Sequence, residues 1–375
     1  MKPENLDLPF SDSRFTRLRL STASASTEVI VGHNTLDHAC NLLEMDRSVR
    51  LVLITDQHIA PLYARSFCQL LEQKGYQIHL LEIASGEQAK TLETLLSLYE
   101  ACLDLQLERD DVVITMGGGA IEDVGGLLAG TYLRGLDLMH IPTSLVGMVS
   151  SSIGGKVAIN FRGAKNVIGA FKFPKFILMD LNFLDTLPDL ERRSGIGELI
   201  TVGVLGAPAI FEALEAHGTA NLQDLIVAAI QCKAALVEAD PFDQSDIRAR
   251  LNLGHTFGHA LEKLSGFRLP HGLAVAIGLH IASRLAASIG LCPDWLPTRI
   301  YQTLQALDLP TTLTGYHPAD VLSAMKSDKK RARGLLRYVL PTAIGDVVLV
   351  SEDQVPPACL EEVLREIVGS EGTKR

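Results

Sequence analysis

Between residues 49 and 133 the chain alternates short β-branched apolar runs with longer amphipathic stretches: 49–55 then 60–73, 78–83 then 91–107, and 112–116 then 121–133. Strands buried on both faces read as continuous apolar runs, and parallel pairing needs a helical crossover between them. The spacing therefore predicts a parallel sheet with helices on both faces. Ligands of such sheets sit beyond the carboxyl ends of the strands, so the loops after Thr55, Ile83 and Met116 are where a nucleotide is to be sought. Two short strands at 16–20 and 28–32, joined by a Ser/Thr-rich turn, precede this unit. A strand at 138–141 follows it, and 176–180 is expected to close the sheet.

Beyond Leu187 and Pro188 the pattern changes. Apolar residues recur at helical spacing through 190–214, 222–237, 249–264, 273–291 and 298–307, followed by a hairpin at 338–340 and 347–349 and one short helix. The expected architecture is α/β: an N-terminal Rossmann-like parallel-sheet domain over 1–186 and a C-terminal mainly helical domain over 187–375. A length of 375 residues with 47% hydrophobic content is enough for two such cores. The net charge of -10 argues against nucleic acid or a membrane surface as partner, since both call for clustered Lys and Arg. Six cysteines with no Cys-x-x-Cys pair suggest neither a disulfide framework nor a cysteine zinc site. The opening lacks the basic-then-apolar profile of a signal peptide and no apolar run reaches about 18 residues, so the expected location is cytoplasmic.

The chemistry is concentrated in the helical half. In Asn252-Leu253-Gly254-His255-Thr256-Phe257-Gly258-His259-Ala260-Leu261-Glu262 two histidines four residues apart share a helix face, with Cβ atoms about 6 Å apart. Pro270-His271-Gly272 supplies a third imidazole after a loop. That is enough to hold a metal, and residue types alone leave His255 with His259 open as the paired ligands, because zinc helices use that spacing. Gly254, Gly258 and Gly272 each cost about 1 kcal/mol of helix stability relative to Ala, which implies that a backbone or a ligand needs the space. Glu198 sits among residues that read as buried, and a buried carboxylate needs a partner.

In the sheet half, Gly117-Gly118-Gly119 lies between a strand and a helix, where backbone N–H groups and the positive end of the helix dipole can hold a pyrophosphate. A bare triple glycine also suits a tight turn, and it is not the G-x-G-x-x-G fingerprint. Farther on, Ser150-Ser151-Ser152-Ile153-Gly154-Gly155-Lys156 is a small-residue loop whose N–H groups, hydroxyls and lysine suit an oxyanion, with Asn160, Lys165 and Asn166 close behind.

The segment 252–262 with Pro-His-Gly, and Gly-Gly-Gly-x-Ile-x-Asp followed by Ala-Gly-Thr-Tyr-Leu-Arg-Gly, resemble motifs of the 3-dehydroquinate synthase family, the sugar-phosphate cyclases. The resemblance runs over about residues 50–350. It implies a dehydroquinate-synthase-like fold and an NAD- and zinc-dependent cyclase, with cobalt able to replace zinc. The implied enzyme eliminates phosphate from a small phosphorylated sugar, 3-deoxy-D-arabino-heptulosonate 7-phosphate in the main reading, and works as a homodimer. The implied metal ligands are Glu198, His255 and His271, which leaves His259 to bind substrate or carry a proton. Asp123 matches the position that meets the nicotinamide half of NAD; Asp56, Glu87 and Lys90 match those that hold the adenosine half. Gly117, Gly118 and Gly119 form the matching turn, Thr143 and Ser144 the paired hydroxyls, and Lys165 goes with the cofactor set. Lys156, Lys233, Arg248, Asn252, Asn166 and Lys330 match substrate-binding and catalytic positions. Arg134 matches a residue that reaches a neighbouring subunit's site.

Three positions depart from the family pattern. Glu122 stands where glycine is usual; the helix dipole favours it there, but beside a pyrophosphate it would repel. Ser150 replaces an aspartate that contacts a ring hydroxyl, and Thr201 replaces a lysine that helps hold a substrate carboxylate. A charge-assisted bond is worth about 1.5–3 kcal/mol, enough to change substrate. Two other readings therefore stand beside the first: a cyclase of secondary metabolism acting on another sugar phosphate such as sedoheptulose 7-phosphate, and a metal-dependent alcohol or polyol dehydrogenase.

Overall fold

The β-branched runs of the first half become one seven-stranded sheet. The structure is a computed structural model that describes residues 15–42, 47–326, 331–332 and 335–369. It falls into two units, Met1–Thr143 with Lys156–Asp185, and Ser144–Gly155 with Thr186–Arg375.

In the first unit β1 (Phe15–Ser21) and β2 (Ser26–Gly32) form an antiparallel pair, followed by α1 (Thr35–Leu42). Then come β3 (Arg50–Asp56), α2 (Arg65–Gln73), β4 (Gln77–Ile83), α3 (Leu92–Asp104), β5 (Val112–Gly117), α4 (Gly119–Thr131) and β6 (Asp137–Pro142). A hairpin of β7 (Lys156–Phe161) and β8 (Ala164–Phe171) precedes β9 (Phe176–Asp180). The sheet order is β1-β2-β9-β6-β5-β3-β4, and every pair from β2 onward is parallel. The expectation for 176–180 needs correction: β9 does not close the sheet but lies inside it, between β2 and β6. Its Ile177, Leu178 and Met179 are buried, which suits an interior strand, whereas the polar β1 stands at the edge. The stretch 60–73 also differs from one helix, because Ala60–Ala64 form a π-turn with Pro61 in its first turn.

β3 pairs with β4 on one side and β5 on the other, so the strand order reverses between β3 and β5. In doubly wound sheets that reversal opens a crevice beyond the carboxyl ends. Here those ends are Asp56 and Gly117, and Thr55 Oγ1 donates to Met116 O at 2.7 Å across them. α4 begins directly after Gly118 and packs tightly: a Cβ on Gly125 would stand 2.4 Å from Thr115 Cγ2, and one on Gly126 would stand 2.3 Å from Val157 Cγ1.

The second unit contains α5 (Asp189–Leu205), α6 (Pro208–His217), α7 (Leu222–Ala239), α8 (Asp246–Ala249), α9 (His255–Leu264), α10 (His271–Ser288), α11 (Trp295–Ala306) and α12 (Pro318–Lys326). β10 (Arg331–Ala332), β11 (Leu335–Ala343) and β12 (Asp346–Ser351) form a small antiparallel sheet, and α13 (Pro357–Val368) follows. Two stretches expected as single helices are broken. The first, 190–214, stops before Pro208, whose ring cannot continue a helix. The second, 249–264, is interrupted by Gly254 at φ +74°, so that His255 opens a new helix. α10 is buried without interruption from Gly272 to Ser283 and serves as the core helix of the unit. Segment 144–155, next to the sheet strands in sequence, belongs to this unit: Leu145, Met148, Val149 and Ile153 are buried, and Gly195 of α5 leaves room for Leu145. Among the described residues no helix is long and apolar enough to cross a membrane.

One buried base ties the sheet to pH. His140 on β6 is buried, its Nδ1 lies 2.6 Å from Thr115 Oγ1, and burial pushes its pKa down to about 3. The unfolded chain takes up this proton near the ordinary value of 6.5, which the folded chain refuses until about pH 3. This depressed group therefore stabilises the fold less and less as pH falls from 6.5, by up to about 1.4 kcal/mol per pH unit. His140→Asn should flatten the dependence of the urea midpoint on pH between about 6.5 and 4; an equally steep decline in the variant would assign the acid sensitivity elsewhere.

Candidate metal centre and nucleotide cradle

Three helices of the second unit bring Glu198, His255 and His271 together: Glu198 from the middle of α5, His255 from the first residue of α9 and His271 from the first residue of α10. Glu198 Oε1 lies 3.5 Å from His255 Nε2 and 3.2 Å from His271 Nε2. The oxygen is buried and makes no hydrogen bond. Donors about 2 Å from a tetrahedral zinc stand about 3.3 Å apart, so these spacings fit one divalent ion. A buried carboxylate oxygen facing two imidazole nitrogens also has the chemistry for it. Burial alone would raise the Glu198 carboxyl, but the two imidazoles facing it outweigh burial and hold it well below the ordinary glutamate range.

Both rings are oriented from behind. His255 Nδ1 lies 2.9 Å from Leu253 O, and a carbonyl only accepts, so Nδ1 carries the proton and Nε2 is left for the metal. His271 Nδ1 faces Glu262 Oε2 at 3.1 Å. Against the lowering effect of burial, contact with Glu198 and Glu262 raises His271 to about 9. His259 completes the group, its ring centroid 5.6 Å from those of His255 and His271. It belongs to a second donor set with Glu262 and His271, so His259 is beside the first set rather than in it.

The other site residues of this unit are held largely by carbonyls. Lys233 Nζ donates to Ser150 O at 2.7 Å and Ser150 Oγ at 3.0 Å. Arg248 is buried and donates to Pro241 O and Gly154 O. Gly154 sits at φ +112°, and a Cβ there would stand 2.4 Å from Arg248 Nη2. Asn252 Nδ2 donates to Ala249 O at 3.0 Å, and Ser144 Oγ accepts from Gly147 N at 3.1 Å. Thr201 is buried and its hydroxyl donates back to Gly197 O within α5. Lys330 lies outside the described residues.

In the first unit the expected cofactor residues form a connected network. Lys90, almost fully buried, donates to Asp123 Oδ2 and to Asn166 Oδ1, each at 2.5 Å. Burial raises the Asp123 carboxyl above the ordinary range, while the Lys90 ammonium beside it works the other way. Glu87 accepts from Asn160 Nδ2 at 2.7 Å and has Lys90 and Lys165 each at 3.9 Å. Thr143 N donates to Gly117 O, fixing the loop after β6 against the triple glycine, and Gly118 is the N-cap of α4 with Gly119 its first residue. Asp56 is buried and its Oδ1 accepts from His58 N and Ile59 N, so it also caps the turn that follows β3. Glu122 is buried in the first turn of α4. Lys156 and Arg134 are exposed.

Two residues of these networks have connections that the sequence does not show. Asn160, expected beside the small-residue loop, joins Glu87 to Asn166, whose N–H it accepts at 2.9 Å, a link made by the pairing of β7 with β8. Glu262 did carry a signal, since it falls seven residues after His255 and so on the same helix face.

The geometry separates the two ways of choosing imidazoles. His271→Ala should abolish retention of Zn2+ through gel filtration, read by metal analysis, while His259→Ala leaves one equivalent bound. Equal retention in the two variants would mean that a different pair of imidazoles holds the ion.

Comparisons with known proteins identify the family. Residues 80–194 match the family described as 3-dehydroquinate synthase N-terminal, and 195–331 that described as 3-dehydroquinate synthase C-terminal. The 3-dehydroquinate synthase of Desulforamulus reducens is 40% identical over 315 residues, covering 82% of this chain and 88% of that protein. The structure of 2-epi-5-epi-valiolone synthase from Streptomyces hygroscopicus, with NAD+ and Zn2+ bound, superposes with a TM-score of 0.84 at 28% identity, over 92% of this chain and 98% of that one. The structure of 2-deoxy-scyllo-inosose synthase with carbaglucose-6-phosphate, NAD+ and Co2+ superposes with a TM-score of 0.82 at 23% identity, over 94% of this chain and 100% of that one, a likeness of fold. Matched in both halves, and 40% identical to a relative over most of each protein's length, the chain belongs to the 3-dehydroquinate synthase family.

Proposed function

We propose that this protein is a 3-dehydroquinate synthase, an NAD- and divalent-metal-dependent lyase that eliminates phosphate from 3-deoxy-D-arabino-heptulosonate 7-phosphate and closes the carbocycle. The observation that carries the reading is the convergence of Glu198, His255 and His271 from three helices in a chain of this family. These three residues would hold zinc, with cobalt as a substitute; the turn 117–119 with Asp56, Glu87, Lys90, Asp123, Thr143, Ser144 and Lys165 would hold NAD. When bound, the metal polarises a substrate oxygen and lowers the pKa of its alcohol, and NAD stores a hydride that it later returns.

The chain's own residues then have separable tasks. His259, beside the donor set, carries the proton of the reacting hydroxyl. Lys233 and Arg248, held by the carbonyl oxygens of Ser150, Pro241 and Gly154, give positive charge to an anionic substrate. Lys156, Asn166, Asn252 and Lys330 complete the polar contacts the family pattern implies. The reading extends to a cytoplasmic homodimer with Arg134 at the neighbouring site. Leu133 and Arg134, both exposed, hold φ values of 50 and 71°, a strain of the kind kept where a partner or ligand uses it.

A second reading has one observation in its favour. At position 201 a buried threonine bonds its own helix, and at 150 a serine rather than a carboxylate meets Lys233, so the polar contacts offered to substrate differ from those of the family pattern. A cyclase acting on an uncarboxylated sugar phosphate would have this change.

A panel of sugar phosphates with Zn2+ and catalytic NAD decides between them. The expected outcome is release of inorganic phosphate from the carboxylated seven-carbon substrate with no net NADH. Preferential turnover of sedoheptulose 7-phosphate would favour the second reading, and stoichiometric NADH would mean a dehydrogenase. In the cradle, Gly118→Val should weaken NAD binding in a fluorescence titration by blocking approach to the N-terminus of α4; unchanged affinity would move the nucleotide elsewhere.

A further inference from the structure

Two donor sets share one ring. Glu198 and His255 meet His271 through its Nε2, whereas Glu262 meets it at Nδ1, and Glu262 with His259 and His271 also places three donor atoms within 4.8 Å of one another. A ring so placed could serve either set, and something must choose. The Glu262 side chain is 4% exposed and stands on the face of α9 that carries His255 and His259. A carboxylate there can only accept, so the 3.1 Å contact requires the proton on Nδ1.

We propose that Glu262 is a positioning residue that commits His271 to the first set: by accepting the Nδ1 proton it leaves Nε2 as the ring's one lone pair and fixes the ring plane toward Glu198. The inference rests on the reading of Glu198, His255 and His271 as metal ligands. Glu262 itself does not touch the ion. Its carboxylate instead makes the imidazole a stronger donor and keeps His259 outside the coordination sphere, available for proton transfer. Backbone does the same task for His255 through Leu253 O, so one ligand is oriented by an invariable group and the other by a replaceable side chain.

The test is zinc affinity, measured on the full chain by competition with a chromophoric chelator, together with the visible spectrum of the Co2+ form. Loss of an orienting carboxylate typically costs 10–100-fold in metal affinity. Glu262→Ala should fall in about that range and alter the Co2+ spectrum; Glu262→Gln, which keeps an oxygen to accept the Nδ1 proton, should fall less. Circular dichroism of the metal-free variants checks that they fold, and if Glu262→Ala does not, Glu262→Gln still reports. A folded variant with wild-type affinity and spectrum overturns the proposal. His271→Ala run in parallel separates the two levels: if it too binds zinc normally, the ligand assignment has failed rather than the role of Glu262.

Discussion

The site depends on backbone touching backbone around α10. A Cβ on Gly272 would stand 1.8 Å from Ser194 O, one on Gly197 would stand 2.2 Å from Gly272 O, and one on Gly278 would stand 2.0 Å from Gly254 O. No methyl group fits at any of these crossings, so α5, α9 and α10 lock at separations that side chains could not set as tightly. Ser194 adds a hydrogen bond from Gly272 N to its Oγ at 2.9 Å. Each of the three proposed metal donors is the chain neighbour of one of these glycines: Glu198 of Gly197, His255 of Gly254, His271 of Gly272. The helix stability lost at glycine is thus converted into positional accuracy where ligands must be held.

The sheet unit poses a different problem, the placing of positive potential beside its triple glycine. Lys90, the one deeply buried ammonium among its described residues, is engaged with Asp123 and Asn166. Positive potential beside the triple glycine comes instead from the N-terminus of α4. Tight packing of that helix at Gly125 and Gly126 keeps its first turn fixed at the reversal of strand order.

The parallel sheet and the histidine helix were legible in the sequence because both are written in local periodicity. So was the need for space at Gly254, Gly258 and Gly272, which turns out to be space for backbone. The hairpin of β7 and β8 was not legible: its turn is Arg162-Gly163, both at positive φ, and arginine lacks the signal that Asn-Gly gives at such a turn. Nor was the place of β9, since an apolar five-residue strand has the same pattern anywhere inside a sheet. α12 has no reading in the sequence, and the breaks at Gly254 and Pro208 merged helices that periodicity alone could not divide. Glu262 illustrates the last limit, because its partner His271 lies on another helix and no spacing within α9 points to it.

Segment 144–155 has a consequence for how the chain can be assembled. Polypeptide passes between the two units at residues 143–144, 155–156 and 185–186. During synthesis the strands β7 to β9 are made after this segment, yet α5 and α7, against which it packs, emerge later still. The nascent first unit can therefore complete its sheet while carrying a twelve-residue excursion with five apolar side chains and no cover. A truncation at residue 186 would make that transient state permanent, yielding a protein prone to self-association and removing Lys233 and Arg248 from the carbonyls of Ser150 and Gly154.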